Sequence, residues 1–542
     1  MVRTKRFEMK KMKSQVIICG ASLGGTLAAY SAAREGKNVV LLESTKWIGG
    51  QLTSQAVPPD EHPWIEDQGA TQSYREYREK VRAYFCNLEG FSQEVKDSKR
   101  FCPGNSEVSW LAHPPKLALS ILEEMLAPYV AAGNLKIFTE AKLLDCITQG
   151  DDIVGVTYEI DGEKVLFEGE YYLDGTDIGD LIKKSGAEYR VGAESREETG
   201  EVDAPLVGDP EDMQSYIYSA CIENRREGDY TIEKPELYDC FASMATPYDP
   251  ERMLFSMIGP DSSNGKAKQF AMFPGEVLAD GTHPFPLFPY RRIVYSGYYT
   301  DGSQPYDVTL INWPQNDFFL GNLFDCEDAE HNDYLARQYT LSFVYWLQTE
   351  APRYDGGKGY PYFRLAPEYV GTEDGLSMAP YIRESRRIKA KVTITESDVC
   401  DAERCRFPDS VGVGSYPIDL HVTHKTHTFM YRPTYRFTIP LGAMIPERMT
   451  NLIPACKNIG STHLTNGCYR LHPVEWNIGE VAGYLASFAI DCGVTPARVW
   501  EDKELFASFA KHIEERGIQR YWNEKPILDG TYVRPNPKKV YS

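Results

Sequence analysis

Four apolar residues, Val16 to Cys19, run into Gly20-Ala21-Ser22-Leu23-Gly24-Gly25. A stretch of small residues from Thr26 to Glu35 follows, then a second apolar run from Asn38 to Leu42 that ends on Glu43. This order predicts a βαβ unit whose parallel strands are buried on both faces. Further on, Leu117 to Leu126 carry apolar residues at helical spacing, and Gly133-Asn134 supplies a C-terminal cap. Leu135 to Phe138 and Lys142 to Thr148 read as strands. Val154 to Ile160 and Lys164 to Glu168 read as a hairpin turning at Asp161-Gly162. The run Tyr171 to Leu173 reads as another strand, delivering Asp174-Gly175-Thr176-Asp177-Ile178-Gly179-Asp180, with Asp180 expected to cap a following helix. Near the C-terminus, Leu452 to Ala455 predicts a strand and Lys457 to Arg470 a loop. Pro473 then opens a long helix, where its missing N–H does no harm.

The first unit carries recognisable chemistry. Gly20 permits a tight exit from the strand, Gly25 lets the helix lie close to the sheet, and the helix N-terminus offers free N–H groups to a pyrophosphate. Glu43, 23 residues after Gly20, is spaced to accept hydrogen bonds from a ribose. Ser22 stands where the middle glycine of GxGxxG usually sits, so the site is altered and not abolished. Ser44 begins the segment STKWIGGQLTSQ, whose Gly49 and Gly50 allow a loop to approach a bound cofactor closely.

The GASLGG turn, Glu43 and the IGGQ loop resemble the FAD-dependent oxidoreductase family with a glutathione-reductase-type Rossmann domain, in its poorly characterised bacterial group. The resemblance implies that Gly20, Ser22, Leu23, Gly24 and Gly25 hold the FAD pyrophosphate. It puts Glu43 at the adenosine ribose, Ser44 among the cofactor-binding positions, and Gly49, Gly50 and Gln51 toward the flavin. It sets the backbone of Ala141 beside the adenine, and it matches DGTDIGD to a family motif in which Asp174, Gly175, Thr176 and Asp180 approach the cofactor. NLIPACKNIGSTHLTNGCYRLHPVEWNIGEVAGY is similar to the family's closing flavin motif, which adds Asn466, Gly467, Asn477 and Ile478 to the cofactor positions. The helix there would point its positive end at the flavin pyrimidine. Cys456-Lys457 departs from the family's Gly-Arg but keeps the charge.

The implied fold is α/β, with a Rossmann-type FAD-binding domain on a parallel sheet that is discontinuous in sequence (14–190 and 381–495). An inserted α+β substrate domain (195–380) would interrupt it, and a helical tail (496–542) would follow. In the insert, FAMFPGEV, PFPLFPYRRIVYSGYY and YDVTLINWPQNDF read as strands joined by turns, and Tyr334 to Thr349 as a helix.

Composition narrows the partners. The 542 residues are 42% hydrophobic and 25% charged, with 58 Lys and Arg against 78 Asp and Glu, a net charge of −20. Such a surface repels polyphosphate, so nucleic acid is not an expected partner. No apolar run reaches the ~18 residues of a membrane span. Twelve cysteines show neither CxxC nor zinc spacing, so reduced structural thiols and no metal site are expected. The basic opening MVRTKRFEMKKMK lacks a cleavage site and leads into the Gly-rich turn, so it is read as a ragged start of a cytoplasmic protein.

Oxidising a C–H bond beside an OH or NH calls for a base. The sequence offers His472 first, with Arg470 and Arg383 as clamps for anions or oxyanions; His113, Tyr416, His421, His463, Arg386 and Arg387 follow. The segments RESRR (Arg383 to Arg387) and GSYPIDLH (Gly414 to His421) resemble recurring family segments that return polar groups to the flavin. The 35 tyrosines suit a polyhydroxylated or carbohydrate-like small molecule, while the local arginines leave room for a small anion. No second GxGxxG follows a strand, so no NAD(P)H domain is expected, and the electron acceptor is left as oxygen, a quinone or a protein. The expected activity is hydride transfer from substrate to FAD. Open beside it stand a flavin-dependent lyase or isomerase without net redox change, a nicotinamide-only dehydrogenase and a non-catalytic binding protein.

Overall fold

The computed structural model describes residues 9–246, 249–261, 266–278 and 281–523. Its N-terminal unit contains β1 (Lys10–Lys13), β2 (Val16–Cys19), α1 (Leu23–Arg34) and β3 (Val39–Leu42). All residues of β2 and β3 are buried and pair in parallel from Val16↔Val39 to Cys19↔Leu42. The helix begins at Leu23, earlier than the sequence pattern suggests, because the Ser22 hydroxyl accepts the Gly25 N–H and caps it. Next, α2 (Pro115–Ala132) starts on proline, ends at Gly133 in the left-handed conformation (φ +83°), and leads to β4 (Leu135–Phe138) beside β3. The antiparallel meander β5 (Lys142–Gln149), β6 (Asp152–Ile160) and β7 (Glu163–Glu168) then delivers β8 (Tyr171–Asp174) to the other side of β2.

Two expectations need correction here. Lys10–Lys13 is not a ragged segment: it pairs in parallel with β7, and Lys11 and Lys13 both reach Glu168. Asp180 does not cap its helix. Gly179 occupies the cap position at φ +67°, and the Asp174 carboxylate reaches across to accept the Ile182 N–H at 2.8 Å. Asp174 is fully buried, and three donors, the Thr176 N–H and hydroxyl and the Ile182 N–H, satisfy its carboxylate. Asp180, more exposed, pairs with Arg386 at 3.1 Å.

The insert builds a four-stranded sheet in the order Arg292–Val294, Val308–Ile311, Ala220–Asn224, Phe363–Leu365. Its apolar face meets α3 (Ala329–Thr349), whose Tyr339, Phe343 and Leu347 pack with Trp313, Ile222 and Phe255 into a separate aromatic core.

The chain returns with β9 (Leu452–Pro454), which pairs with β8 and completes the parallel sheet β9-β8-β2-β3-β4. The expected loop after it contains α4 (His463–Tyr469). Its Thr, Asn and Gly are poor helix formers, but every residue is buried and Thr462 and Thr465 cap one another reciprocally, so packing overrides propensity. The long α5 (His472–Cys492) lies along α1. A Cβ at Gly479 would sit 2.1 Å from the Gly24 carbonyl oxygen, and one at Gly24 would sit 1.9 Å from that of Ala455. Only glycine permits this approach of α1, α5 and the end of β9. After α5, α6 (Lys503–Glu515) is followed by Arg516, which pairs with Glu35 at the end of α1. Residues 524–542 of the expected tail lie outside the described residues. No helix among the described residues is long and apolar enough to cross a membrane.

Candidate active site

A cleft of about 540 Å³ opens at the C-terminal ends of β2, β3 and β8. Gly20, Glu43, Ser44, Ala141, Gly175, Thr176 and Asp180 line it together, although 160 residues separate the first from the last. The turn is tight because Gly20 and Gly175 touch: a Cβ on Gly20 would lie 2.5 Å from the Gly175 carbonyl carbon. The Glu43 carboxylate accepts the N–H groups of Ala21 (2.7 Å) and Thr45 (2.8 Å). Burial pushes its carboxyl up, and these donors oppose that. Gly49, at φ +102°, folds the IGGQ loop back so that its N–H donates to the Ala21 carbonyl at 2.8 Å.

The residues present fit FAD. Gln55 lines the cleft buried, and neither atom of its side-chain amide has a partner among the described residues. An unpaired buried amide costs free energy unless a ligand's polar edge completes it.

Deeper in, Gln51 donates to Glu475 Oε2 at 2.5 Å while its own Oε1 is left without a partner. Lys457, wholly buried, donates to the Ile382 carbonyl (2.8 Å) and reaches Asp177 (3.3 Å) and Glu475 (3.9 Å). Burial works against its charge, but the two carboxylates outweigh it and hold the ammonium above the ordinary lysine range.

The other expected cofactor positions lie elsewhere. Asn477 donates to the Val411 carbonyl at 3.1 Å, Gly467 packs against the Asp419 backbone, Asn466 donates to the Lys457 carbonyl at 3.3 Å, and Ile478 is in the main core. None of the four lines the cleft; Leu23, Gly24 and Gly25 are buried in the first turn of α1.

A second cavity, of about 380 Å³, lies across a thin wall. The extended segment 380–383 is that wall: Pro380 and Ile382 face the cleft, while Tyr381 and Arg383 face the cavity. Alternation along an extended chain thus gives the two spaces a common partition.

Arg383, Arg470 and Arg291 line this cavity, and each is matched by an aspartate. Arg291 binds Asp60 through two hydrogen bonds (2.9 and 3.2 Å), Arg383 binds Asp317 (2.8 Å), and Arg470 binds Asp419 (3.1 Å) and the Tyr381 hydroxyl (3.0 Å). Asp419 also accepts from the Tyr416 hydroxyl at 3.1 Å. Burial favours the neutral acids, but the partners win. Arg291 holds Asp60, Arg383 and His421 hold Asp317, and His421 and Arg470 hold Asp419, each below the usual carboxylate range.

His421 lines the cavity, its Nδ1 2.6 Å from Asp317 Oδ2. An ionised carboxylate only accepts, so Nδ1 carries a proton toward Asp317. Nε2 stands 3.6 Å from Asp419 Oδ2, beyond hydrogen-bond range.

His472, the first choice from sequence, does not line the cavity. It is fully buried behind Asp60, whose N–H donates to its Nδ1 at 3.0 Å, and burial pushes its pKa down to about 3. Several other candidates are tied into structural contacts: His113 to Tyr77, Arg386 to Asp325 and Asp180, Arg387 to Glu194 and Glu384, and His463 to Glu384. Asp60, Arg291, Asp317 and Asp419 were not singled out from sequence. Asp419 left a signal in YPIDLH, where Pro417, Asp419 and His421 alternate with buried Ile418 and Leu420. The other three sit in stretches without a motif.

Residues 15–512 match the model of a family described as FAD dependent oxidoreductase. Two curated relatives are L-amino acid oxidases. The one from Cerastes cerastes is 32% identical over 90 residues (16% of this chain, 17% of that protein). The one from Demansia vestigiata is 27% identical over 103 residues (18% and 20%). The matches thus span a fifth or less of these relatives. Among solved structures, a geranylgeranyl bacteriochlorophyll reductase-like protein from Thermoplasma acidophilum aligns over 94% of this chain and 85% of its own, with 10% identity and a TM-score of 0.30.

Proposed function

Because the chain belongs to the FAD-dependent oxidoreductase family, we propose that it oxidises a small hydroxylated, carbohydrate-like substrate at a C–H bond, in the cavity adjoining the cofactor cleft at segment 380–383, where the substrate would meet the flavin directly. The observation that carries this reading is that segment 380–383 contributes side chains to both spaces, so that the cofactor cleft and the second cavity adjoin. In this reading Glu43 holds the adenosine ribose, the Gly20–Gly25 turn the pyrophosphate, Ala141 the adenine edge, and Gly49 to Gln51 the side toward the flavin. Bound FAD supplies the acceptor for the hydride.

The chain's own residues do the rest. Arg470 and Arg383 orient substrate oxygens, and the aromatic lining limits water. As the C–H bond gives up its hydride and the carbonyl forms, the hydroxyl proton passes to His421 Nε2, with Asp317 fixing the ring. This role moves from His472 to His421, which lines the cavity and is held by Asp317; His62 also lines the cavity, with its ring tied to the Gly69 carbonyl. Reoxidation falls to oxygen, a quinone or a protein partner; peroxide formed during aerobic turnover would identify oxygen.

The test is anaerobic titration of the purified protein with hydroxylated compounds. Loss of the oxidised flavin absorbance is expected. A colourless protein that releases no flavin on denaturation would overturn the reading, and turnover without bleaching would replace it with a non-redox role.

A further inference from the structure

Resting on that oxidoreductase reading, we infer that the ligand of the 380 Å³ cavity is an uncharged polyhydroxylated molecule, such as a sugar or cyclitol, and that carboxylate-bearing substrates, free amino acids included, are rejected. Charge comes first. All three arginines at the wall already face an aspartate: Arg291 with Asp60, Arg383 with Asp317, Arg470 with Asp419. The lysine on the rim, Lys268, lies 3.3 Å from Asp261. A substrate carboxylate would have to displace a buried aspartate from its partner or lie against it, and separating a buried ion pair is strongly unfavourable. Arginines that looked from sequence like an anion site are therefore committed before any ligand arrives.

Polar atoms still without a partner point to hydroxyl groups. Lining residues keep three donors, Asn312 Nδ2, Arg383 Nε and Arg470 Nε, two carboxylate acceptors, Glu61 Oε2 and Asp419 Oδ1, and His62 Nδ1 unsatisfied among the described residues. A hydroxyl donates and accepts at once, so a molecule carrying several can meet such a mixed set without bringing net charge. Tyr290, Tyr416, Phe270, Phe285 and Phe429 supply aromatic surface to the remaining wall, beside Glu61, His62 and Glu107, and such rings suit the C–H faces of a sugar. A cavity of this size is within the usual range for small-molecule sites, roughly 300–1,000 Å³.

The experiment is calorimetric titration of the flavin-loaded protein with glucose, myo-inositol, cellobiose, gluconate and L-leucine, read as binding without turnover. At least one neutral compound is expected to bind ten-fold or more tightly than gluconate or leucine. Tighter binding of either acid, or no binding by any neutral member, overturns the inference. Bleaching of the flavin by leucine would remove the substrate class and leave oxidation standing; neutral binding without bleaching would do the reverse. Asp60→Asn, which frees Arg291, is expected to raise gluconate affinity about ten-fold. Asp419→Asn tests the same balance at Arg470 should the first variant not fold, and unchanged gluconate affinity in a folded variant overturns the charge argument.

Discussion

The Glu475 carboxylate, in the first turn of α5, accepts the N–H of Gly24 in the first turn of α1 at 3.1 Å. Two helix N-termini are thereby joined through one buried anion, with Lys457 as its nearest cation at 3.9 Å. Lys457→Met would leave Glu475 and Asp177 without that cation. A loss of about 3–5 kcal/mol is expected on urea denaturation. The double variant Lys457→Met/Glu475→Gln should recover a large part of it; strictly additive losses would show that the two groups do not act as a pair.

Glu480 gives stability a pH dependence. Burial, opposed by the nearby Thr71 and Ser73 hydroxyls, pushes its carboxyl up to about 7. Its pKa is higher folded than unfolded, so its contribution is full below about pH 4.5 and is lost as pH rises through about 7. Wild type minus Glu480→Gln should thus change by about 3 kcal/mol between pH 4.5 and 8, with the variant more stable at the alkaline end. Parallel denaturation curves at both pH values would refute this.

His421→Gln should keep flavin content and lower the rate of flavin bleaching by about 10²–10⁴. Asp317→Asn is expected to lie between the variant and wild type, since the ring then keeps an amide in place of its ionised acceptor. An unchanged bleaching rate in His421→Gln, followed by stopped flow, would return the proton-accepting role to another group.

His472→Leu separates support from chemistry. The Asp60 N–H would lose its acceptor, at a cost of about 1–3 kcal/mol in stability. The shape of the pH–rate profile should stay as in wild type. A lost acid limb, measured over pH 5 to 9, would restore His472 as the base.

The parallel sheet and its meander were legible because local patterns dictate them: unbroken apolar runs, glycines at the turns, and helical spacing between. Even the edges of β4 agree with the residues themselves. Contacts that join distant segments left no such trace. Asp60 and Arg291 are 231 residues apart, His421 and Asp317 are 104 apart, and neither pair sits in a repeating pattern. Arg383 and Arg470 were found because they lie in recognisable segments, but their aspartate partners, which reverse the expected preference for anions, could be seen only once the chain was folded. His472 misled because its place before the long helix says nothing about which way its ring is covered.

The order of strands also sets a clock. β9 closes the edge of β8, yet 278 residues (452 − 174) separate Leu452 from Asp174. At ~5–20 residues per second, a ribosome takes roughly 15 to 55 s to cover that interval. Throughout it, the nascent sheet presents an unpaired edge, and the glycine face of α1 has no α5 to cover it. Synthesis of the insert is therefore the period in which this chain is most exposed to misassociation, and a truncation before Asn451 would make that state permanent.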